Sequence, residues 1–125
     1  MRMTLGLSVA AIALCAVSGA AVAAPKFQLN QTTWTMTEKD GTKVVESIDA
    51  DGNYIANTVA GKHLDHGTAV MKGSKACFIS AMTKEGEVCF TTHPVKVGHA
   101  LATVSSKGKK ETVTRVAYKP LEMPK

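Results

Sequence analysis

The side chains best suited to chemistry lie in one short run, Gly61-Lys62-His63-Leu64-Asp65-His66-Gly67, with further histidines at His93 and His99. Neutral imidazoles and a carboxylate are the ligand types of zinc and copper sites, so His63, Asp65, His66, His93 and His99 form a candidate metal set. The spacing works against it. In an extended segment His63 and Asp65 share one face while His66 points to the other, so three-ligand convergence requires the glycine-flanked run to be a loop. His93 and His99, set around Pro94 and Gly98, would have to arrive from another connection. The simpler expectation is exposed loop histidines with Asp65 capping a turn.

A second oxygen-rich run, Asp49-Ala50-Asp51-Gly52-Asn53, begins like a calcium loop. The match then fails, because Tyr54 stands where the loop needs glycine and Ala60 where it needs a bidentate acid. A hairpin turn with Gly52 at positive φ is expected instead. Nucleophilic catalysis finds no support: Ser74 and Ser80 lie in no G-x-S-x-G elbow, and no cysteine is left free for histidine-assisted attack. The acid pairs Glu38/Asp40, Glu46/Asp49 and Glu85/Glu87 fall at or beside expected turns, where carboxylates are ordinarily solvated. No catalytic residue is assigned, and the expectation is a non-enzymatic chain without a cofactor, zinc or copper being the alternative. Trp34, Tyr54 and Tyr118 are expected as core or rim residues.

The cysteines follow from the chain's destination. Arg2, the apolar stretch Leu5 to Val17 and the small residues Ser18 to Ala23 have the three-part order of a secretory leader, with a cut expected after Ala23. The apolar run falls short of the roughly 20 residues that a membrane-spanning helix needs. Loss of 1–23 removes Cys15 and leaves Cys77 and Cys89. In an oxidising compartment these two are expected to form a disulfide worth about 3 kcal/mol. They are too far apart for a C-x-x-C redox pair and lack the second pair that a thiolate metal site needs.

The elements that must position these groups are read from the remainder, 24–125, which is short enough for a single domain. Gly41, Gly52, Gly61, Gly73, Gly86, Gly98 and Gly108 recur every 9 to 13 residues or so, the rhythm of consecutive hairpins. Between them lie segments rich in Thr, Val, Ile and aromatics. Strands are expected at Thr33–Glu38, Lys43–Ile48, Tyr54–Val59, Thr68–Lys72, Ala76–Met82, Glu87–Thr92, Ala100–Ser105 and Thr112–Tyr118. No segment of the remainder keeps a 3.6-residue apolar period, so little helix is expected beyond the leader. The fold class is all-β: an antiparallel meander of about eight strands that buries its edges as an up-and-down barrel or a flattened sandwich. The cysteines would clamp the hairpin Ala76–Thr92, with Phe78 and Phe90 on the opposite face. The ends, Ala24–Gln31 and Pro120–Lys125, are expected to be loosely held.

The formal charge of +5 and the basic tip Lys107, Lys109 and Lys110 suggest weak attraction to anionic surface polymers. Nucleic acid is disfavoured, since no aromatics interleave a basic face. The run from Trp34 through Asp51-Gly52-Asn53-Tyr54 to Lys75-Ala76-Cys77-Phe78 and Gly86-Glu87-Val88-Cys89-Phe90 resembles small uncharacterised exported proteins of Gram-negative bacteria, which share a Trp-led strand, a D-G-x-Y turn and a paired-cysteine hairpin. The resemblance implies a periplasmic or secreted β domain but no activity. Periplasmic inhibitors of lysozyme or protease are similar in architecture alone. The expected function is a monomeric binding module for an envelope protein or polymer, using loops and a sheet face and not inserted in the membrane after processing. The alternative is a metal-binding protein built on His63 and His66.

Overall fold

The computed structural model describes residues 27–124; the expected leader and its cut lie outside them. Eight antiparallel strands follow one another: β1 (Thr32–Thr37), β2 (Lys43–Ile48), β3 (Asn53–Thr58), β4 (His63–Lys72), β5 (Lys75–Ser80), β6 (Glu87–Thr91), β7 (Ala100–Val104) and β8 (Lys110–Val116). They form one sheet in the order β6-β5-β4-β3-β2-β1-β8-β7. Because β1 pairs with β8 as well as with β2, the sheet curls back on itself. The open seam between β6 and β7 is bridged at Phe90 and Ser105, so the architecture is a nearly closed up-and-down barrel rather than a two-layer sandwich.

Glycine turns set the meander. In four connections the same five-residue geometry recurs: Gly41, Gly52, Gly61 and Gly108 donate to the carbonyls of Glu38, Asp49, Thr58 and Ser105, three residues back. Each of these glycines has a φ between 81° and 104°, a region closed to most side chains. This is the three-residue hairpin loop ending in a left-handed glycine. The expected hairpin at Gly52 is therefore present, and Asp49 spends its carboxylate on the backbone N–H groups of Asp51 and Asn53, both at 2.9 Å.

Inside the barrel the alternation is plain in β7, where Leu101 and Thr103 are buried and Ala100, Ala102 and Val104 are exposed. Trp34, Ile48, Tyr54, Ala69, Ala76 and Leu101 belong to one buried cluster, against which Phe78, Met71 and Val113 pack. Cys77 and Cys89 stand directly opposite each other across β5 and β6 and are joined by a disulfide. The phenylalanine after each cysteine turns inward, with the Phe78 and Phe90 rings 5.7 Å apart and edge to face.

Two expectations are corrected. The strand expected at Thr68–Lys72 starts at His63 and absorbs the candidate loop. The ends are tied down where loose ends were expected. Leu29 is buried in the core, Phe27 stacks edge-on against Trp34 at 6.2 Å, and Gln31 donates its N–H to Ile48. At the other terminus Lys119 N–H donates to Thr33 Oγ1 and Leu121 N–H to Ser47 Oγ. Both segments are irregular, so alternation could not reveal them; the N-terminal one buries Leu29 by capping one end of the barrel, while the C-terminal one, beyond its bond at Leu121, stays exposed as expected.

Candidate functional site: a cavity lined by carboxylates and aromatics

The side chains that point inward do not fill the barrel. A cavity of about 330 Å³ remains, a size at the small end of ligand sites. One end is closed by Leu29 and Trp34; the other reaches the hairpin tips, where Glu85, Lys107 and Lys109 line it. Trp34, Phe78 and Phe90 give it an aromatic wall, and Leu101 and Val113 an aliphatic one.

Polar groups enter this wall from several strands. On the inner face Trp34 pairs with Glu46, Glu46 with Ala56, and Ala56 with Asp65. Two carboxylates are thus separated by a single methyl-bearing residue. Asp65 is well satisfied: its Oδ2 accepts from the Tyr54 hydroxyl at 2.8 Å, and its Oδ1 accepts from Ser80 Oγ at 2.5 Å and from the His66 N–H at 2.9 Å. Desolvation, reinforced by the bond to Asp65, pushes the Tyr54 hydroxyl well above its usual range, so Tyr54 stays a donor.

Glu46 is different. It is half-buried, with its carboxyl facing the cavity. No hydrogen bond or ion pair reaches it among the described residues. Burial first, then the charges of Glu111 and Asp65, raise its pKa to about 8. Glu111, on β8, is also raised, chiefly by burial and against the opposing pull of Lys109. Glu46 was expected at the margin of a turn; it lies mid-strand on β2, on the same face as Val44 and Ile48. That parity is visible in Lys43-Val44-Val45-Glu46-Ser47-Ile48 and was the signal available.

The lysine tip also lies at this mouth. Lys107 is ion-paired with Glu85, and Lys109 lies 3.5 Å from Glu38. Each of these two rim cations therefore has its own acid, and among the described residues the interior below them holds carboxylates without a base.

The histidine run is rearranged by a β-bulge. Ala56 faces Asp65 but Asn57 faces His63, so Leu64 is the extra residue. A bulge reverses the facing of the residues before it relative to those after it. Asp65 turns into the barrel while His63 and His66 meet outside, His63 Nε2 lying 3.0 Å from His66 Nδ1 and His63 Nδ1 lying 2.8 Å from Asn57 Oδ1. The expected five-residue metal set is not assembled. His93 and His99 sit on the connection after β6, at the other end of the barrel from the β3–β4 turn, with His93 Nδ1 against the Pro94 carbonyl. Among the described residues, the grouping whose ligand atoms lie within 4.8 Å of one another is Cys77, Glu87 and Cys89, and its sulfurs are consumed by the disulfide.

Comparison with protein-family models, curated proteins and solved structures returns no match. Functional inference therefore rests on the site.

Proposed function

We propose that this chain is a non-enzymatic, exported binding module whose ligand is a small molecule held inside the barrel. The observation that carries the reading is the cavity of about 330 Å³ with an apolar wall and a few inward polar groups. Eight-stranded barrels are wide enough to hold one small ligand. The exported setting is supported by the leader-like composition of 1–23 and by the disulfide. An interior ligand does not exclude an envelope protein or polymer as partner on the outer loops, where such contacts are usually made.

The test uses Trp34, the chain's single tryptophan, which lines the cavity. Titration with a neutral aromatic solute, 2-phenylethanol, is expected to shift its emission saturably. Ala56→Leu, which fills the cavity from β3, should abolish the response; Ala102→Leu, on the outer face of β7, should leave it intact. A linear response, or the same response in both variants, overturns the reading.

Metal binding at His63 and His66 is the second reading, favoured by the 3.0 Å approach of their ring nitrogens. It has two ligands rather than the three expected, since Asp65 faces the interior. Elemental analysis of the purified chain tests it: stoichiometric zinc or copper, lost on replacement of both histidines by Ala, supports it, and a metal-free chain rejects it.

A further inference from the structure

Resting on the interior-ligand reading, we infer that the ligand class is a small organic cation, a protonated amine on an aromatic body, with its ammonium set against Glu46 and its ring against Trp34, Phe78 and Phe90. Three features converge on this class. First, the half-buried Glu46 turns its carboxyl to the cavity, and among the described residues no donor or cation meets it. A carboxylate drawn partly out of water without a counter-charge is costly in its ionised form, and a ligand that supplies the missing positive charge offsets that cost on binding. Second, the neighbouring inward groups are of one sign or already engaged. Asp65 accepts from Tyr54, Ser80 and the His66 N–H, and Glu111 adds a further carboxylate at the upper wall. Third, aromatic faces favour cations over anions, and Phe78 stands edge to face between Tyr54 and Phe90 at 5.3 and 5.7 Å.

An anionic ligand would need a free base. Lys107 and Lys109 at the mouth are matched by Glu85 and Glu38, and an anion passing them would meet Glu111, Glu46 and Asp65 in turn. A neutral ligand offers Glu46 at most a hydrogen bond and no charge to stabilise its ionised form. The size of the cavity limits the body to about one ring and a short linker.

The charge state of Glu46 supplies a second signature. Facing it are Asp65 from β4, Tyr54 from β3 and Glu111 from β8, with Trp34 beside it on β1; Lys109 and Glu38 lie further out at the rim. In the empty barrel the Glu46 carboxyl, with its pKa near 8, is mostly protonated at neutral pH. An ammonium ligand draws out the charged form, so binding releases a proton. Affinity for a permanently charged amine should then rise by up to about tenfold per pH unit as pH climbs towards 8, and level off above it.

The experiment compares three probes of one shape, 2-phenylethylammonium, 2-phenylethanol and 3-phenylpropanoate, by calorimetry and Trp34 emission on the disulfide-bonded chain. The ammonium is expected to bind at least tenfold more tightly than the alcohol at pH 8, with the carboxylate weakest. In Glu46→Gln, whose fold is checked by its melting transition, the ammonium should lose that advantage while the alcohol keeps its affinity. Binding of the alcohol or carboxylate as tightly as the ammonium, or an ammonium preference that survives Glu46→Gln, overturns the cation assignment and leaves the interior-ligand reading standing. If no probe binds, both fall together.

Discussion

Glu46 is held in place by its neighbours along β2 and, among the described residues, not by any side-chain hydrogen bond or ion pair of its own. Val44 and Ile48, two residues away on either side, are buried, and strand parity then forces the carboxyl onto their face. Its pKa of about 8, against 4.5 when solvated, sets the direction of a stability effect. The folded state binds the Glu46 proton more tightly than the unfolded chain does. Below about pH 4.5 both states are protonated and Glu46 is without effect; as pH rises towards 8 it costs up to about 1.4 kcal/mol per unit, and the loss levels off above 8. Glu46→Gln is therefore expected to stabilise the empty barrel by at most about 3 kcal/mol at pH 7, less where water enters the cavity, and by little at pH 5. Denaturant melts at pH 5, 7 and 8 read this directly, and an equal gain at every pH refutes it. Gly67 makes the complementary case for a residue whose missing side chain matters: a Cβ there would lie 1.9 Å from the Ile79 carbonyl oxygen. Gly67→Ala must push β4 from β5, at a cost of roughly 1 to 3 kcal/mol or more, visible as a lowered melting temperature. Neither role was legible beforehand. The acid was grouped with Asp49 beside a turn, and a glycine that is not in a turn carries no local mark of a close backbone approach.

At the level of elements, what could be read was what local backbone chemistry enforces. The glycines at positions 41, 52, 61 and 108 end three-residue loops because only a residue without a Cβ takes those φ values at no cost, and the spacing of these with Gly73, Gly86 and Gly98 located seven of the eight strands to within a few residues. β4 escaped because its bulge breaks the alternation at Leu64, making a continuous strand from His63 to Lys72 resemble a loop followed by a short strand. The hairpin of β5 and β6 was legible through its cysteines, but the reason it needs a clamp was not. β6 is the last strand of the sheet, and its far side meets β7 and the residues after it through a single backbone bridge, where Ser106 N–H donates to the Cys89 carbonyl at 2.7 Å, and through side chains: Thr103 Oγ1 donates to the Thr91 carbonyl at 2.6 Å, and Ser106 Oγ accepts from the Cys89 N–H at 3.1 Å. A strand held by a full ladder on one side only opens first. Replacing both cysteines by Ala is expected to cost about 2 to 5 kcal/mol and to raise amide exchange most in β6. Uniformly faster exchange across all eight strands would show that the disulfide does not act locally on the seam.

For the molecule as a whole, the barrel is a vessel that must be sealed at one end if a ligand is to be held in a dry interior. The seal is the segment before β1. Leu29 fills the bottom beside Trp34, Ile48 and Leu101, and Thr32 Oγ1 both donates to the Leu29 carbonyl and accepts from Trp34 Nε1 at 2.8 Å. Phe27 closes over this layer, with the Arg115 guanidinium 5.8 Å from its ring centre and Arg115 Nη1 donating to the Val95 carbonyl at 2.7 Å. Truncating Leu29 to Ala removes buried methyl groups from a layer that the strands, fixed by their ladders, cannot contract to fill. A cost of about 2 to 5 kcal/mol follows. The consequence extends beyond stability, because the same layer separates Trp34 from solvent at the lower end. In Leu29→Ala the tryptophan emission should move to longer wavelength in the still-folded protein, and 2-phenylethanol should bind more weakly than to the unmodified chain although no residue facing the polar half of the cavity has changed. In Val97→Ala, a truncation of an exposed valine on the β6–β7 connection, none of these three changes is expected. Loss of stability in Leu29→Ala without a change in Trp34 emission or in solute binding would mean that the segment holds the fold together without sealing the cavity.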